Sequence, residues 1–253
     1  MKVNKGVSAS VFGVKGGTGK STLVLNLAGV AALQKLRTLI IDFDLSGGSI
    51  ALHTGKKISK TLYNFQDDYN NNRFDNIKSY AITYNEYIDF IACPKDPRQA
   101  NKIDSKYVNI LIEKAVFQYD LILIDMSHSL DSIVLSILDK VDTILFNVTN
   151  DLYDLKNARS MISIFNDLGI DKYKMILNKS VNPNRNVYSN YDIKNVLKAN
   201  IDYIISEKMY LKNIDDYVLN GSIFTLSKEF MDKHSSDKRI FDLIIKDTLK
   251  ENE

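Results

Sequence analysis

The chain has no tryptophan, a single cysteine, three prolines and no run of 18 apolar residues. A lone Cys93 cannot close an internal disulfide, which fits a reducing cytoplasm rather than a stapled secreted fold. Without an apolar run of spanning length there is no transmembrane helix to place. The stretch from Met1 to Ser10 lacks the basic-then-apolar layout of a signal peptide. Charge of one sign is also scarce: the net formal charge is +2, too little by itself to argue for nucleic acid. The lack of tryptophan beside abundant Asn, Ile, Lys and Tyr is a compositional mark of an AT-rich bacterial genome. No internal repeat or low-complexity linker divides the chain. Its 253 residues suffice for one well-buried α/β domain and are too few for two large ones, so a single domain over 1–253 is expected.

Glycine is also scarce over most of the chain, but nine of the eleven lie before residue 56. Glycine serves where backbone takes positive φ or approaches a ligand closely, so special geometry is concentrated at the start. The rest alternates short β-branched runs with longer helical stretches. Strands are expected over 8–14, 38–42, 87–92, 121–125, 143–149, 174–178 and 201–205. Helices are expected over 20–36, 105–118, 151–168, 191–199, 210–219 and 237–250, with Asp151 as an N-cap and Gly169 as a stop. Several strands are continuous apolar runs, such as Leu121-Ile122-Leu123-Ile124. Such runs are buried on both faces, as in a parallel sheet covered by helices. The expected fold is a doubly wound, mostly parallel α/β sheet of the P-loop NTPase type, with ligands at the carboxyl ends of its strands. The polar, Asn-rich stretch 55–85 reads as loop plus a short helix.

The strongest motif is Lys15-Gly16-Gly17-Thr18-Gly19-Lys20-Ser21-Thr22, between an expected strand and an expected helix. Its glycines let successive backbone N–H groups curve around phosphates, and the helix adds its positive end to the same anion. Lys20 would reach the β- and γ-phosphates, Ser21 would ligate Mg2+, and Thr22 would lie near the α-phosphate. Val14 occupies the first glycine position of the strict pattern, which leaves the deviant form K-G-G-x-G-K-[ST]-[ST].

With this motif the chain resembles, from about Val7 to its end, the deviant Walker A family of MinD, ParA, CpaE/TadZ and the nitrogenase iron protein. The resemblance implies an ATP- and Mg2+-dependent ATPase that dimerises on ATP, with Lys15 crossing the interface to the partner's phosphate. The plainer reading of Lys15 is a solvated loop lysine. Asp42 and Asp44 close the second strand on one face. By resemblance Asp44 would orient the attacking water and Asp42 would support the metal site, while 45–48 would serve as a switch segment. Asp125 ends four apolar residues, a Walker B pattern placed to hold Mg2+ through water. After it, Met126-Ser127-His128 departs from the family's x-Pro or x-Gly, and His128 reads as a loop residue without a chemical role. Asn178 resembles the position whose amide reads adenine. Ser206 and Glu207, in a segment that lacks the family's proline, would lie near the base.

The biological role is less legible. The segments 138–152 and 218–224 resemble CpaE-like proteins, which implies a spatial organiser of pilus or secretion-system assembly. Such a protein would be cytoplasmic and recruited through a partner in a membrane-associated assembly. A ParA-like role would need non-specific DNA binding, with Lys172, Lys174, Lys179, Arg185, Lys194 and Lys198 as candidates around Tyr188 and Tyr191. A MinD-like role would need the last helix at a membrane surface. Its apolar positions 240, 241, 244, 245 and 249 read instead as a core helix packed on the sheet. A small-molecule ligase or kinase of the same superfamily is the alternative of another class.

Overall fold

A computed structural model describes residues 5–45, 47–183 and 188–250. Eight strands form one sheet in the order β3-β4-β2-β5-β1-β6-β7-β8. In chain order they are β1 Val7–Phe12, β2 Thr38–Phe43, β3 Ile82–Thr83, β4 Ile88–Ile91, β5 Leu121–Met126, β6 Thr143–Thr149, β7 Tyr173–Asn178 and β8 Tyr203–Ile205. All neighbouring pairs are parallel except β3 with β4. This is the doubly wound, mostly parallel sheet expected from the sequence.

The period of two along each strand sends alternate apolar side chains to opposite faces, and both faces are covered. Ile122 and Ile124 join one hydrophobic cluster, and Leu121 and Leu123 join the other. On the first face lie α3 (Leu62–Asn70), α5 (Ser105–Ala115), α6 (Ser132–Lys140), α7 (Leu152–Asp167) and α8 (Asn190–Leu197). On the second lie α1 (Lys20–Leu33), α10 (Lys228–Lys233) and α11 (Ser235–Leu249). Helix α1 is apolar all round and buried along almost its whole length, as a helix packed on every side must be. Phe241, Ile244 and Ile245 of α11 are buried, so its apolar face is spent on the sheet side and α1, as a core helix requires. No described helix is long and apolar enough to cross a membrane.

Several boundaries differ from expectation for local reasons. The first strand ends at Phe12, where the chain turns into the glycine loop. Helix α1 stops at Leu33, and Lys35 takes φ 61°. Asp151 caps α7 by accepting from the N–H groups of Tyr153 and Asp154, and Gly169 at φ 68° ends the turn after it. The helix expected over 210–219 shrinks to α9, Ile214–Leu219, because 207–213 form a tight turn and a loop instead. Elements not expected include α2 (Ile50–Thr54), α4 (Pro97–Ala100), α6, α10 and the short strand β3.

One close approach seats α1. A methyl group on Gly29 would lie 2.2 Å from Thr225 Oγ1 and 2.9 Å from Ile223 Cγ2. The Thr225 hydroxyl donates to the Asn26 carbonyl at 2.9 Å. Gly29→Val is therefore expected to destabilise the protein by about 1–3 kcal/mol through overpacking, read as a lowered urea midpoint at unchanged slope.

Candidate functional site

The loop between β1 and α1 is braced from inside. The Lys20 ammonium donates to the Lys15 carbonyl at 3.2 Å, and the Thr18 hydroxyl donates to the same oxygen at 3.3 Å. The Thr18 carbonyl accepts from the side-chain amides of Asn147, at 2.8 Å, and Asn178, at 3.3 Å. Gly19 is the N-cap of α1 at φ 82°, without a side-chain cap. The first N–H groups of α1 are therefore left for a ligand, in the arrangement that binds anions. A methyl group on Gly19 would lie 3.1 Å from both Asn178 Nδ2 and Val181 Cγ2, so this position tolerates neither another conformation nor a side chain.

A cavity of about 420 Å3 opens above this loop. Gly16, Gly17, Thr18, Gly19, Lys20, Ser21 and Thr22 line its phosphate end, with the His128 ring against Gly16. Asp44 and His53 line it too, as do the apolar Ile205, Met209, Leu211, Ile214 and Phe241. A polar, cation-bearing loop and apolar side chains within one cavity suit a phosphate chain attached to a flat base.

The acids sit at the carboxyl edge of the sheet. Register pairs Asp42 of β2 with Asp125 of β5, so two buried carboxylates stand side by side. Asp42 is fully buried and accepts from the N–H groups of Asp44, at 3.2 Å, and Ile50, at 3.3 Å. It thus ties down the segment that carries Asp44, and does not itself line the cavity. Burial, with Asp125 beside it, pushes the Asp42 carboxyl well above the usual carboxylate range. Both Asp125 oxygens are buried without a well-formed hydrogen bond. Burial pushes its carboxyl up to about 7, although the Ser21 hydroxyl and the Lys20 ammonium pull it down. Orphaned carboxylate oxygens beside a serine hydroxyl fit a hard divalent cation such as Mg2+. Among the described residues no cluster of three or more His, Cys, Asp or Glu could hold a metal alone. Lys20 is buried, and burial lowers its pKa against the opposing pull of Asp125, Asp44 and Asp154.

Lys15 points away from the cavity floor. Its ammonium pairs with Asp151 at 3.0 Å, and its side chain keeps 41% of its exposure while Asp151 keeps 6%. Asn178 also lines the cavity, and its oxygen accepts from Ser180 N–H at 3.1 Å and Ser180 Oγ at 2.7 Å. Ser206 and Glu207 are not among the lining residues. The Ser206 hydroxyl donates to Asp237 at 2.7 Å, and the chain beyond them supplies the wall through Met209, Tyr210 and Leu211.

Asn147 and Asp154 were not foreseen from the sequence. An amide inside the apolar run of β6 was the signal for the first. Asp154, fully buried, accepts from the Thr149 N–H at 2.7 Å and hydroxyl at 2.8 Å. His128, read as a bystander, lines the phosphate end. Of the basic candidates, Lys172 is engaged within the fold, donating to the carbonyls of Asp139 and Val141. Arg185, and Ser46 of the expected switch segment, lie outside the described residues.

Comparison with known proteins gives a consistent picture. Residues 9–214 match the CbiA family, described as the CobQ/CobB/MinD/ParA nucleotide binding domain. No curated protein matches the chain. Among solved structures, a ParA family ATPase from Chlorobium tepidum superposes with TM-score 0.81 at 21% identity, covering 96% of this chain and 98% of that one. MinD from Pyrococcus horikoshii, complexed with Mg-ADP, gives 0.74 at 19% identity, covering 97% and 94%. A plasmid partition protein of Borrelia burgdorferi bound to AMPPNP gives 0.71 at 20% identity, covering 96% and 100%.

Proposed function

The chain belongs to the CobQ/CobB/MinD/ParA nucleotide-binding family, and from that premise we propose that it is a slow, Mg2+-dependent ATPase that works as an ATP-switched homodimer. The observation that carries this reading is Lys15. It precedes the first lining residue of the phosphate cavity, Gly16, is half-exposed, and is turned onto Asp151. From there it can exchange one anionic partner for another, the phosphate of a second copy. The loop amides and Lys20 hold the phosphates, Asp44 orients water, and Asp42 fixes the segment that carries Asp44. Ser21 and Asp125 would hold Mg2+, which would supply charge neutralisation to the bound phosphates. No arginine is among the described residues that line the cavity, so hydrolysis by a single copy is slow. A charge-assisted hydrogen bond contributes about 1.5–3 kcal/mol net, so two symmetric Lys15 contacts give about 3–6 kcal/mol. Moving a two-state equilibrium from 1:99 to 99:1 takes ~5.5 kcal/mol, so the γ-phosphate can decide between monomer and dimer.

The output of such a switch is recruitment. We assign the protein to the spatial-organiser class, acting in the cytoplasm on a partner in a membrane-associated assembly such as a CpaE/TadZ-like pilus or secretion system. The segments behind that assignment, 138–152 and 218–224, include β6 and the turn that leads to Thr225, whose hydroxyl bonds to Asn26 of α1, so fold accounts for part of their likeness. Light scattering after size exclusion, with ATP and Mg2+, tests the switch. Asp44→Ala is expected to trap a dimer and Lys15→Ala to stay monomeric. Dimers without ATP in wild type and both variants would refute it.

One observation favours a second reading. A cavity of about 520 Å3 lies behind the segment after Asp44, lined by Leu45, Gly47, Gly48, Cys93 and Lys95 among others. A small-molecule kinase or ligase would use such a space for its acceptor. It would then turn over ATP only when that acceptor is supplied, whereas the organiser hydrolyses ATP without one.

A further inference from the structure

His128 belongs to the phosphate end of the cavity by geometry. A methyl group on Gly16 would lie 3.7 Å from its Cε1 and 3.8 Å from its Nδ1. The ring therefore rests on the first glycine of the loop and lines the same wall as Gly17, Lys20, Ser21 and Asp44. Among the described residues its ring nitrogens have no hydrogen-bond partner.

The backbone on both sides of His128 is held. Ser127 Oγ and Ser129 Oγ are 2.9 Å apart, and the Ser129 hydroxyl donates to Asp131 at 3.0 Å. A hydroxyl has one hydrogen, so Ser127 is the donor of the first bond. Asp131 in turn caps α6, accepting from the N–H groups of Ile133 and Val134. The chain Ser127–Ser129–Asp131 closes beneath His128 and leaves its side chain as the part of this loop that faces the cavity. The other imidazole in the cavity is already engaged, since His53 Nδ1 lies 2.9 Å from the Ser49 carbonyl. A carbonyl only accepts, so that nitrogen carries a proton.

Among the described residues the cavity wall carries few cations of its own. Lys20 is the one lysine among its described lining residues, and no arginine is among them. A triphosphate brings several negative charges to a wall that already holds Asp44, with Asp125 close behind Lys20. A further donor aimed at the terminal phosphate is what this wall needs. Either neutral tautomer of imidazole keeps one N–H, and the protonated ring has two, so the contact does not depend on titration.

We propose that His128 binds the γ-phosphate of ATP through a ring N–H, so that the loop after β5 distinguishes ATP from ADP. The proposal rests on the nucleotide reading above and adds to it a residue that the family pattern does not supply.

Binding of mant-labelled ADP and ATPγS with Mg2+, at protein concentrations where scattering shows a monomer, tests it in wild type, His128→Ala and His128→Gln. His128→Ala is expected to raise the Kd for the triphosphate about ten-fold, the low end for a hydrogen bond to a charged acceptor. Its Kd for ADP should stay within about two-fold, which also reports that the variant is folded. His128→Gln keeps an N–H donor and should recover most of the loss. Equal weakening of both nucleotides, or no change in either, would overturn the role of His128 while leaving nucleotide binding intact. A wild-type protein that binds neither nucleotide would remove both proposals together.

Discussion

Replacing Lys20 with alanine is expected to weaken ATP binding by about 100-fold or more and to abolish hydrolysis. The size of the effect follows from where the ammonium sits. Lys20 is only 8% exposed, and the charges that hold it ionised against burial are Asp125, Asp44 and Asp154. Its present hydrogen bond goes to the Lys15 carbonyl, a neutral acceptor that an incoming phosphate readily displaces. Without the ammonium, Asp44 and the carboxylates behind it meet an incoming triphosphate with one cation fewer. Removing one partner from a buried charge cluster costs about 3–5 kcal/mol, which is roughly two to four powers of ten in affinity. Lys20→Arg should fare little better, because a guanidinium is larger and planar and the lysine it replaces is almost enclosed. Isothermal titration with ATP and Mg2+ reads the effect directly. An affinity within ten-fold of wild type would mean that Lys20 serves the apo loop and not the phosphates.

That loop was legible because its chemistry leaves little freedom in sequence. Few motifs other than a phosphate cradle put Gly16, Gly17 and Gly19 between a strand and Lys20-Ser21. The central strands were legible for a simpler reason: Leu121-Ile122-Leu123-Ile124 has no polar side to expose, so it must lie between two layers. The parts that escaped depend on long-range geometry. Asn147 donates to Thr18, 129 residues away, and nothing near it in the chain announces that partner. The Lys15–Asp151 pair joins two segments 136 apart in number, and only the β1–β6 pairing brings them together. In sequence His128 reads as a solvated turn histidine, and only its distance to Gly16 places its ring beside the loop. Helix α6 was missed although Asp131 is a good cap and Ile133, Val134, Ile137 and Leu138 repeat at helical spacing. In that case the signal was present in the sequence.

Asp125→Asn is expected to make the nucleotide-free protein more stable at pH 8 and to remove the stabilisation that Mg-ATP gives to wild type. In the unfolded chain the carboxyl titrates near 3.8, and in the folded chain near 7. Between those values the folded state binds more protons than the unfolded state, so stability falls as pH rises from about 4 to about 7 and is level beyond. Three pKa units correspond to about 4 kcal/mol at most, shared with Asp42 across the strand pair. An amide carries no charge to desolvate, and it can donate to Asp42 and accept from Ser21. Its gain over wild type at pH 8 should therefore be about 5 °C or more in Tm, and should shrink towards pH 5. Differential scanning fluorimetry at pH 5, 6, 7 and 8, with and without Mg-ATP, gives all the required values. Equal pH profiles for the two proteins would show that Asp125 is not held in its protonated form by burial. If the profiles separate as expected, the two adjacent carboxylates are a strain that a divalent cation relieves. The free energy of filling the site then includes the cost of ionising a buried carboxyl, which a divalent cation offsets, and the nucleotide-free protein loses stability as pH rises towards about 7 because Asp125 ionises there without a cation.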